Sequence, residues 1–190
     1  MANRAERGEL FIVSGPSGSG KSTLCDALLK QSPNLYLSIS CTTRQPRPGE
    51  ADGREYHFLS RAVFEAERDA GAFLEWANVH GNLYGTRKSD VEAALASGRD
   101  ILLEIDWQGA AQVAAEIPQA HRIFILPPSI ETLRRRLISR GQDDDAVIGR
   151  RVAAAESEME HAGEAHYRIV NDRFDDALEA IQAIYTNNHS

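Results

Sequence analysis

The sequence predicts an α/β fold in which helices flank a central parallel sheet. Three observations carry that expectation. The apolar run Leu10-Phe11-Ile12-Val13 is followed by a glycine-rich turn and then by Thr23 to Leu29, whose apolar residues recur at helical spacing. Further apolar runs at 100–106, 121–126 and 167–170 alternate with segments of helical period, the order that builds a parallel sheet. A chain of 190 residues, 42% hydrophobic and 26% charged, suffices for one buried core with insertions, and is short for two independent domains.

The glycine turn is specific. Gly15-Pro16-Ser17-Gly18-Ser19-Gly20-Lys21-Ser22 matches G-x-x-x-x-G-K-[ST], with a strand before it and, from Thr23, a helix after it. Such a loop aims backbone N–H groups at phosphate, and the helix adds its positive N-terminal end. Lys21 is expected to reach the outer phosphates as a point charge, and the Ser22 hydroxyl to hold Mg²⁺. The loop therefore reads as a Walker A sequence, and a nucleoside triphosphate is the expected ligand.

Composition narrows the remaining partners. A net charge of −7 gives no general attraction to nucleic acid, so an anionic ligand must be held by local arginines and lysines. No stretch is long and apolar enough for a membrane span, the first nine residues lack a signal-peptide core, and a cytoplasmic location is the expectation. Two cysteines are too few for a disulfide framework; Cys25 reads as a packed thiol, and Cys41 receives no catalytic role. The histidines are scattered without metal-ligand spacing, and His189 reads as frayed tail. A homo-oligomer remains open.

After the first helix, Leu35 to Ser40 alternates as a second strand. It feeds Cys41 to Glu50, where Pro46 and Pro48 stiffen a loop bearing Arg44 and Arg47. Two guanidinium forks on a rigid strip suit a phosphate monoester, and a solvated loop is the plain alternative. Short strands at 55–59, 72–79 and 83–86, with a helix at 61–70 and a hairpin turn at Gly81-Asn82, read as an antiparallel insertion of roughly fifty residues. Within it, Glu75 lies among apolar neighbours, where its carboxylate either pairs with adjacent N–H groups of a base edge or stands exposed on an alternating strand. Tyr56 and Tyr84 fit half-buried packing as well as ligand contact.

The core pattern resumes with a helix at 88–97 and the strand Asp100 to Asp106. A strand ending in acid beside a phosphate loop places a carboxylate for Mg²⁺, directly or through water. Asp106 fits that position and Glu104 lies two residues earlier; either could instead cap the helix at 108–116. After the strand at 121–126, Pro127-Pro128 precedes a helix carrying Arg134, Arg135, Arg136 and Arg140, an acidic turn at 141–145, and a helix carrying Arg150 and Arg151. Most of these arginines read as solvated surface. A few, on a mobile helical hairpin, suit the charge that builds on a transferring phosphoryl group. A final strand at 167–170 and helix at 175–185 complete the pattern.

Several motifs, in this order, resemble the guanylate kinase family from about Gly8 to Tyr185. They are Gly15 to Ser22, Ser40 to Arg47 with Gly49-Glu50 and Gly53, Tyr56, Phe73 to Trp76, Gly81 to Thr86, and Glu104 to Gly109. The resemblance implies a P-loop nucleoside monophosphate kinase spanning 8–186. Its core would comprise 8–39, 87–129 and 166–186, with a GMP-binding insertion at 40–86 and a helical lid at 130–165. It implies reversible, Mg²⁺-dependent transfer of the γ-phosphoryl of ATP to GMP or dGMP, giving ADP and GDP, in purine nucleotide metabolism and GMP recycling. By the same resemblance Arg44, Arg47, Tyr56 and Tyr84 hold the GMP phosphate, and Ser40, Glu75 and Thr86 read guanine. Glu104 and Asp106 join the GMP site, with Ser22 and Asp106 at the metal. The pair is often two aspartates in the family, so the longer Glu104 shifts a metal or substrate contact by about one methylene. Residues Gly15 to Thr23 bind ATP, Arg136 and Asn171 surround adenine, and Lys21, Arg44, Arg140 and Arg151 act on the transferring group. Two other readings compete: a P-loop kinase of another small substrate, such as ribose 1,5-bisphosphate, and a guanylate-kinase-like binding module without catalysis. The presence of Ser40, Glu75 and Thr86 weighs against the first, and the intact loop against the second.

Overall fold

The computed structural model describes residues 7–79, 81–139, 141 and 144–189. In chain order its elements are β1 (Leu10–Ser14), α1 (Lys21–Gln31), β2 (Leu35–Leu37), β3 (Cys41–Thr42), β4 (His57–Phe58), α2 (Arg61–Asp69), β5 (Phe73–Val79) and β6 (Asn82–Arg87). There follow α3 (Lys88–Ala96), β7 (Asp100–Glu104), α4 (Trp107–Glu116), β8 (His121–Leu126), α5 (Ile130–Ser139), α6 (Asp145–Glu160), a 3₁₀ turn (His161–Glu164), β9 (Tyr167–Val170) and α7 (Phe174–Asn188).

Alternation along β1 explains the layering, because consecutive strand residues face opposite sides of a sheet. Phe11 and Val13 pack with Leu24, Leu28 and Ile181 of α1 and α7, while Leu10 and Ile12 pack with Val91, Leu95 and Val113 of α3 and α4. A strand apolar on both faces needs helices on both sides, which is the parallel-sheet solution. The strands lie in the order β2-β7-β1-β8-β9, and every pairing is parallel. The loop after β1 therefore opens at the C-terminal edge of the sheet, where ligands of open α/β folds bind.

A second sheet, ordered β4-β3-β6-β5, grows from the insertion around a small core of Cys41, Phe64, Phe73 and Leu83. Its details differ from the sequence reading. The strand expected at 35–40 ends at Leu37, and Cys41-Thr42, expected in a loop, pairs with both β4 and β6. Only two rungs form before Pro46 and Pro48, too few to give a strand signature. The β3–β4 pair is parallel, not antiparallel, and Asn82 belongs to β6 opposite Val79 rather than to the turn. Glu67 of α2 and Arg87 at the end of β6 close the insertion with a bidentate ion pair of 2.7 and 2.8 Å.

The two helices expected of the hairpin form, while residues 140, 142 and 143, in and beside the expected acidic turn, lie outside the described residues. Ser129 caps α5 by accepting from the Thr132 N–H at 3.1 Å, and Asp144 caps α6 by accepting from the Val147 N–H at 2.8 Å. Leu133, Leu137, Ile148 and Ala155 join the two helices, while Arg134, Arg135 and Arg150 face solvent. Among the described residues no helix is long and apolar enough to cross a membrane.

The chain's end corrects the expectation of a frayed tail. Asp100, 2% exposed, accepts from the Tyr185 hydroxyl at 2.9 Å and the Glu9 N–H at 2.8 Å, and His189 Nδ1 lies 2.5 Å from its Oδ2. Burial and this hydrogen bond push the Tyr185 phenol above its ordinary value. Asp100→Ala leaves these donors without an acceptor and should cost roughly 2–4 kcal/mol in urea unfolding, because buried unpaired donors keep their full desolvation penalty.

Candidate active site

The glycine loop is held from behind. Asn171, at the end of β9, donates through Nδ2 to the Ser19 carbonyl at 2.8 Å, and Arg136 of α5 donates to the same oxygen at 3.3 Å. Arg136 also donates to the Asn171 carbonyl at 2.9 Å, so the two side chains act as one brace. Gly20, the N-cap of α1, sits at φ 91°, and a Cβ there would lie 2.2 Å from the Asn171 amide. Only glycine allows both the turn and the brace.

One cavity of about 380 Å³ joins this loop to the second sheet. Gly15 to Gly18 and Gly20 to Thr23 form one wall, with Lys21 and Ser22 at the start of α1. Ser40, Tyr56, Glu75 and Tyr84 form the opposite wall, and Glu104 and Asp106 lie between. Glu158 of α6 closes one side, positioned by the end of that helix, where His161 stacks on Trp107 at 3.7 Å between ring centroids.

Glu75 is 3% exposed, so the exposed-strand alternative is wrong for it; its neighbour Trp76, at 38%, faces out instead. Thr86, opposite on β6, donates its hydroxyl to Glu75 Oε1 at 2.6 Å. On the other side a Cβ at Gly109 would stand 2.4 Å from Oε2. Burial pushes the Glu75 carboxyl up to about 7, a shift that the Thr86 hydrogen bond moderates and the Asp106 charge augments.

The two acids at the end of β7 and just beyond it, Glu104 and Asp106, divide their tasks. Glu104 Oε1 accepts from the Ser22 hydroxyl at 2.5 Å. Asp106 lies beyond the end of β7 and caps α4, its Oδ1 accepting from the Gly109 N–H at 2.8 Å and its Oδ2 from Gln108 at 3.2 Å. The capping alternative therefore holds for Asp106, which still lines the cavity with its second oxygen partly engaged. Ser22, Glu104 and Asp106 together offer hard oxygen donors beside the loop, the chemistry Mg²⁺ prefers.

Arg44 follows β3 and is half-buried. It donates to Glu50 Oε1 at 2.9 Å and to the Gln45 carbonyl at 2.8 Å, and its guanidinium lies 5.4 Å from the centre of the Tyr56 ring. Glu50 also accepts from the Arg47 N–H at 2.7 Å. Arg44 and then this amide hold the Glu50 carboxyl below its ordinary value. Tyr56 and Tyr84 meet edge to face at 5.9 Å.

Comparison with known proteins agrees with this geometry. The family model described as guanylate kinase matches residues 7–188. The chain belongs to the guanylate kinase family. It is 58% identical over 177 residues to a guanylate kinase of Cupriavidus metallidurans, covering 93% of this chain and 82% of that one. It is 56% identical to a guanylate kinase of Dechloromonas aromatica, covering 93% and 88%. The crystal structure of guanylate kinase from Anaplasma phagocytophilum superposes with a TM-score of 0.80 at 33% identity, covering 96% of this chain and 86% of that one.

Set against the guanylate kinase expectations, the cavity walls bring together the loop, Ser40, Tyr56, Glu75, Tyr84, Glu104 and Asp106. Thr86 stands behind Glu75, fully buried, and reaches the cavity through it. Arg44, Arg47, Arg136, Arg151 and Asn171 lie outside the walls: Arg47 is exposed, Arg151 is half-buried on α6, and Arg136 with Asn171 braces the loop. Arg140 lies outside the described residues. Sequence reasoning missed Glu50, Gly109 as the clearance for Glu75, and Glu158, whose carboxyl burial raises while the Lys21 charge lowers it. Glu50 and Gly109 both fell inside the motifs quoted above, which was their only signal; Glu158 had none.

Because folding raises the Glu75 carboxyl from its ordinary 4.5 to about 7, its contribution to stability is fully present below 4.5 and is lost as pH rises through 7. Relative to Glu75→Gln, which cannot ionise, the wild-type unfolding free energy should therefore fall by roughly 2–4 kcal/mol between pH 4.5 and 8, measured by denaturant titration at each pH.

Proposed function

We propose that this chain transfers the γ-phosphoryl of ATP reversibly to GMP or dGMP, giving ADP and GDP. The observation that carries the reading is the single cavity whose one wall is the phosphate loop with Lys21 and whose other holds the buried Glu75–Thr86 pair. A carboxylate fixed at depth accepts from two adjacent N–H groups, and guanine presents such a pair on its Watson–Crick edge, whereas adenine does not. Ser40, on the same wall, supplies a further polar contact, and Thr86 keeps Glu75 aimed.

The phosphate of GMP is then assigned to Tyr56, Tyr84, Arg44 and Arg47. Arg44 is already oriented by Glu50, so the phosphate competes for a guanidinium that is in place rather than one that must be ordered. Arg136 and Asn171 adjoin the ATP loop at Ser19, the neighbourhood an adenine assignment requires. Ser22 and Asp106, with Glu104 beside them, would hold Mg²⁺, which neutralises phosphate charge when bound. The GMP phosphate oxygen is a nucleophile at neutral pH, so Lys21 and the arginines act by placement and charge, without a general base. We assign 40–86 to GMP binding and 130–165 to a lid that brings Arg151 over the phosphates, in a cytoplasmic enzyme.

Coupled measurement of ADP release from ATP and Mg²⁺ tests this, with GMP, dGMP, AMP, CMP, UMP and ribose 1,5-bisphosphate as acceptors. Turnover should be confined largely to GMP and dGMP; turnover with the sugar phosphate, or with no acceptor, would contradict it. Lys21→Met should reduce turnover by about 10²–10³-fold with an unchanged circular dichroism spectrum. Glu75→Gln should lower the preference for GMP over AMP by roughly 10–100-fold, the worth of one hydrogen bond to a charged group.

A further inference from the structure

Helix α4 meets the strand bearing Glu75 at two points one turn apart. The first is Gly109, where the absent Cβ leaves room for Glu75 Oε2. The second is Gln112, three residues on and so on the same face of the helix. Its Oε1 accepts from the Trp76 N–H at 3.1 Å, and its Nε2 donates to the Trp76 carbonyl at 2.7 Å. Nε2 also lies 3.4 Å from the Gln108 carbonyl, which steadies the side chain along its own helix.

The geometry is that of a missing strand. β5 is an edge of the second sheet, and Trp76 sits opposite Gly85 of β6 with its own N–H and C=O directed away from that partner, toward α4. A primary amide carries the same donor and acceptor as a peptide, so Gln112 supplies one rung to this edge. A rung does what apolar packing cannot. Leu74 and Val113 share one core cluster where β5 lies on α4, and apolar burial of this kind is non-directional. The amide pair is directional, because a slip of one residue presents groups directed toward β6 instead.

We infer that Gln112 is a positioning residue for base recognition, its amide fixing the register of β5 on α4 and thereby the place of Glu75 in the cavity. The inference rests on the reading of Glu75 as the guanine contact. It assigns specificity to a residue that lines no part of the cavity, and it gives α4 a continuous role: Asp106 caps it, Gly109 clears Glu75, and Gln112 holds the neighbouring peptide.

Two variants of the full chain test this. Gln112→Met keeps the length and packing of the side chain without its hydrogen bonds, and Gln112→Asn keeps the amide one methylene short of Trp76. In steady-state kinetics, both should raise KM for GMP about tenfold and lower the GMP-over-AMP ratio of kcat/KM by a similar factor, with KM for ATP and saturating kcat within about twofold of wild type. An unchanged GMP KM and ratio in both variants would overturn the inference. So would a parallel rise of KM for ATP and GMP, since that is general loosening rather than positioning. If the wild-type chain itself fails to phosphorylate GMP, the functional reading falls and takes this inference with it, an outcome visible without either variant.

Discussion

The closeness of α4 to β5 is the constraint on which the rest of the site depends. At Gly109 the helix backbone and the Glu75 carboxylate share a space that a single methyl group would fill, with 2.4 Å between a Cβ there and Oε2. That closeness removes water from Glu75 and pushes its carboxyl up to about 7. It also places the cap of α4, Asp106, near enough for its charge to add to the shift. A carboxylate buried at this depth, with Thr86 donating to one side of it, is a group whose raised carboxyl marks a functional site. The position of the second sheet on the core is thus what sets the environment of Glu75.

The opposite wall is organised by a different contact, the brace on Ser19. Loop, β9 and α5 converge there through Asn171 and Arg136, so the phosphate loop is tied to the same helical hairpin that carries Glu158 into the cavity. His161 stacked on Trp107 ties the far end of that hairpin to α4. The two walls therefore share their supports: α4 carries both the Glu75 clearance and the Trp107 face on which the hairpin rests.

Much of this was legible in the sequence, for reasons that differ by residue. The loop announces itself because phosphate binding needs glycines and a lysine at fixed spacing, and the parallel sheet because its strands are apolar on both faces. Glu75 was singled out by its apolar neighbours and the hairpin joining its strand to 83–86 was legible, but Thr86 entered only through the family motif, since the local sequence does not fix the register that sets it opposite Glu75. What escaped is what depends on contacts distant in the chain. Cys41-Thr42 is a strand because β6 and β4 arrive on either side, not because two residues show a period. His189 is held by Asp100, 89 positions earlier, and Gln112 by a peptide 36 positions away. Arg136 and Asn171, read as contacts of a base, brace a carbonyl in this structure, a role that neither spacing nor charge reveals.

The most direct test of the central claim is the proton count on binding GMP. Titration calorimetry at pH 7 in buffers of different ionisation enthalpy measures it without turnover. With the Glu75 carboxyl near 7 in the free protein, and ionised once it accepts from guanine, binding should release about half a proton more from wild type than from Glu75→Gln. The variant removes the contribution of the GMP phosphate, which is common to both. An equal count in the two proteins, or net uptake by wild type, would contradict the assignment of Glu75 as the carboxylate that reads the base.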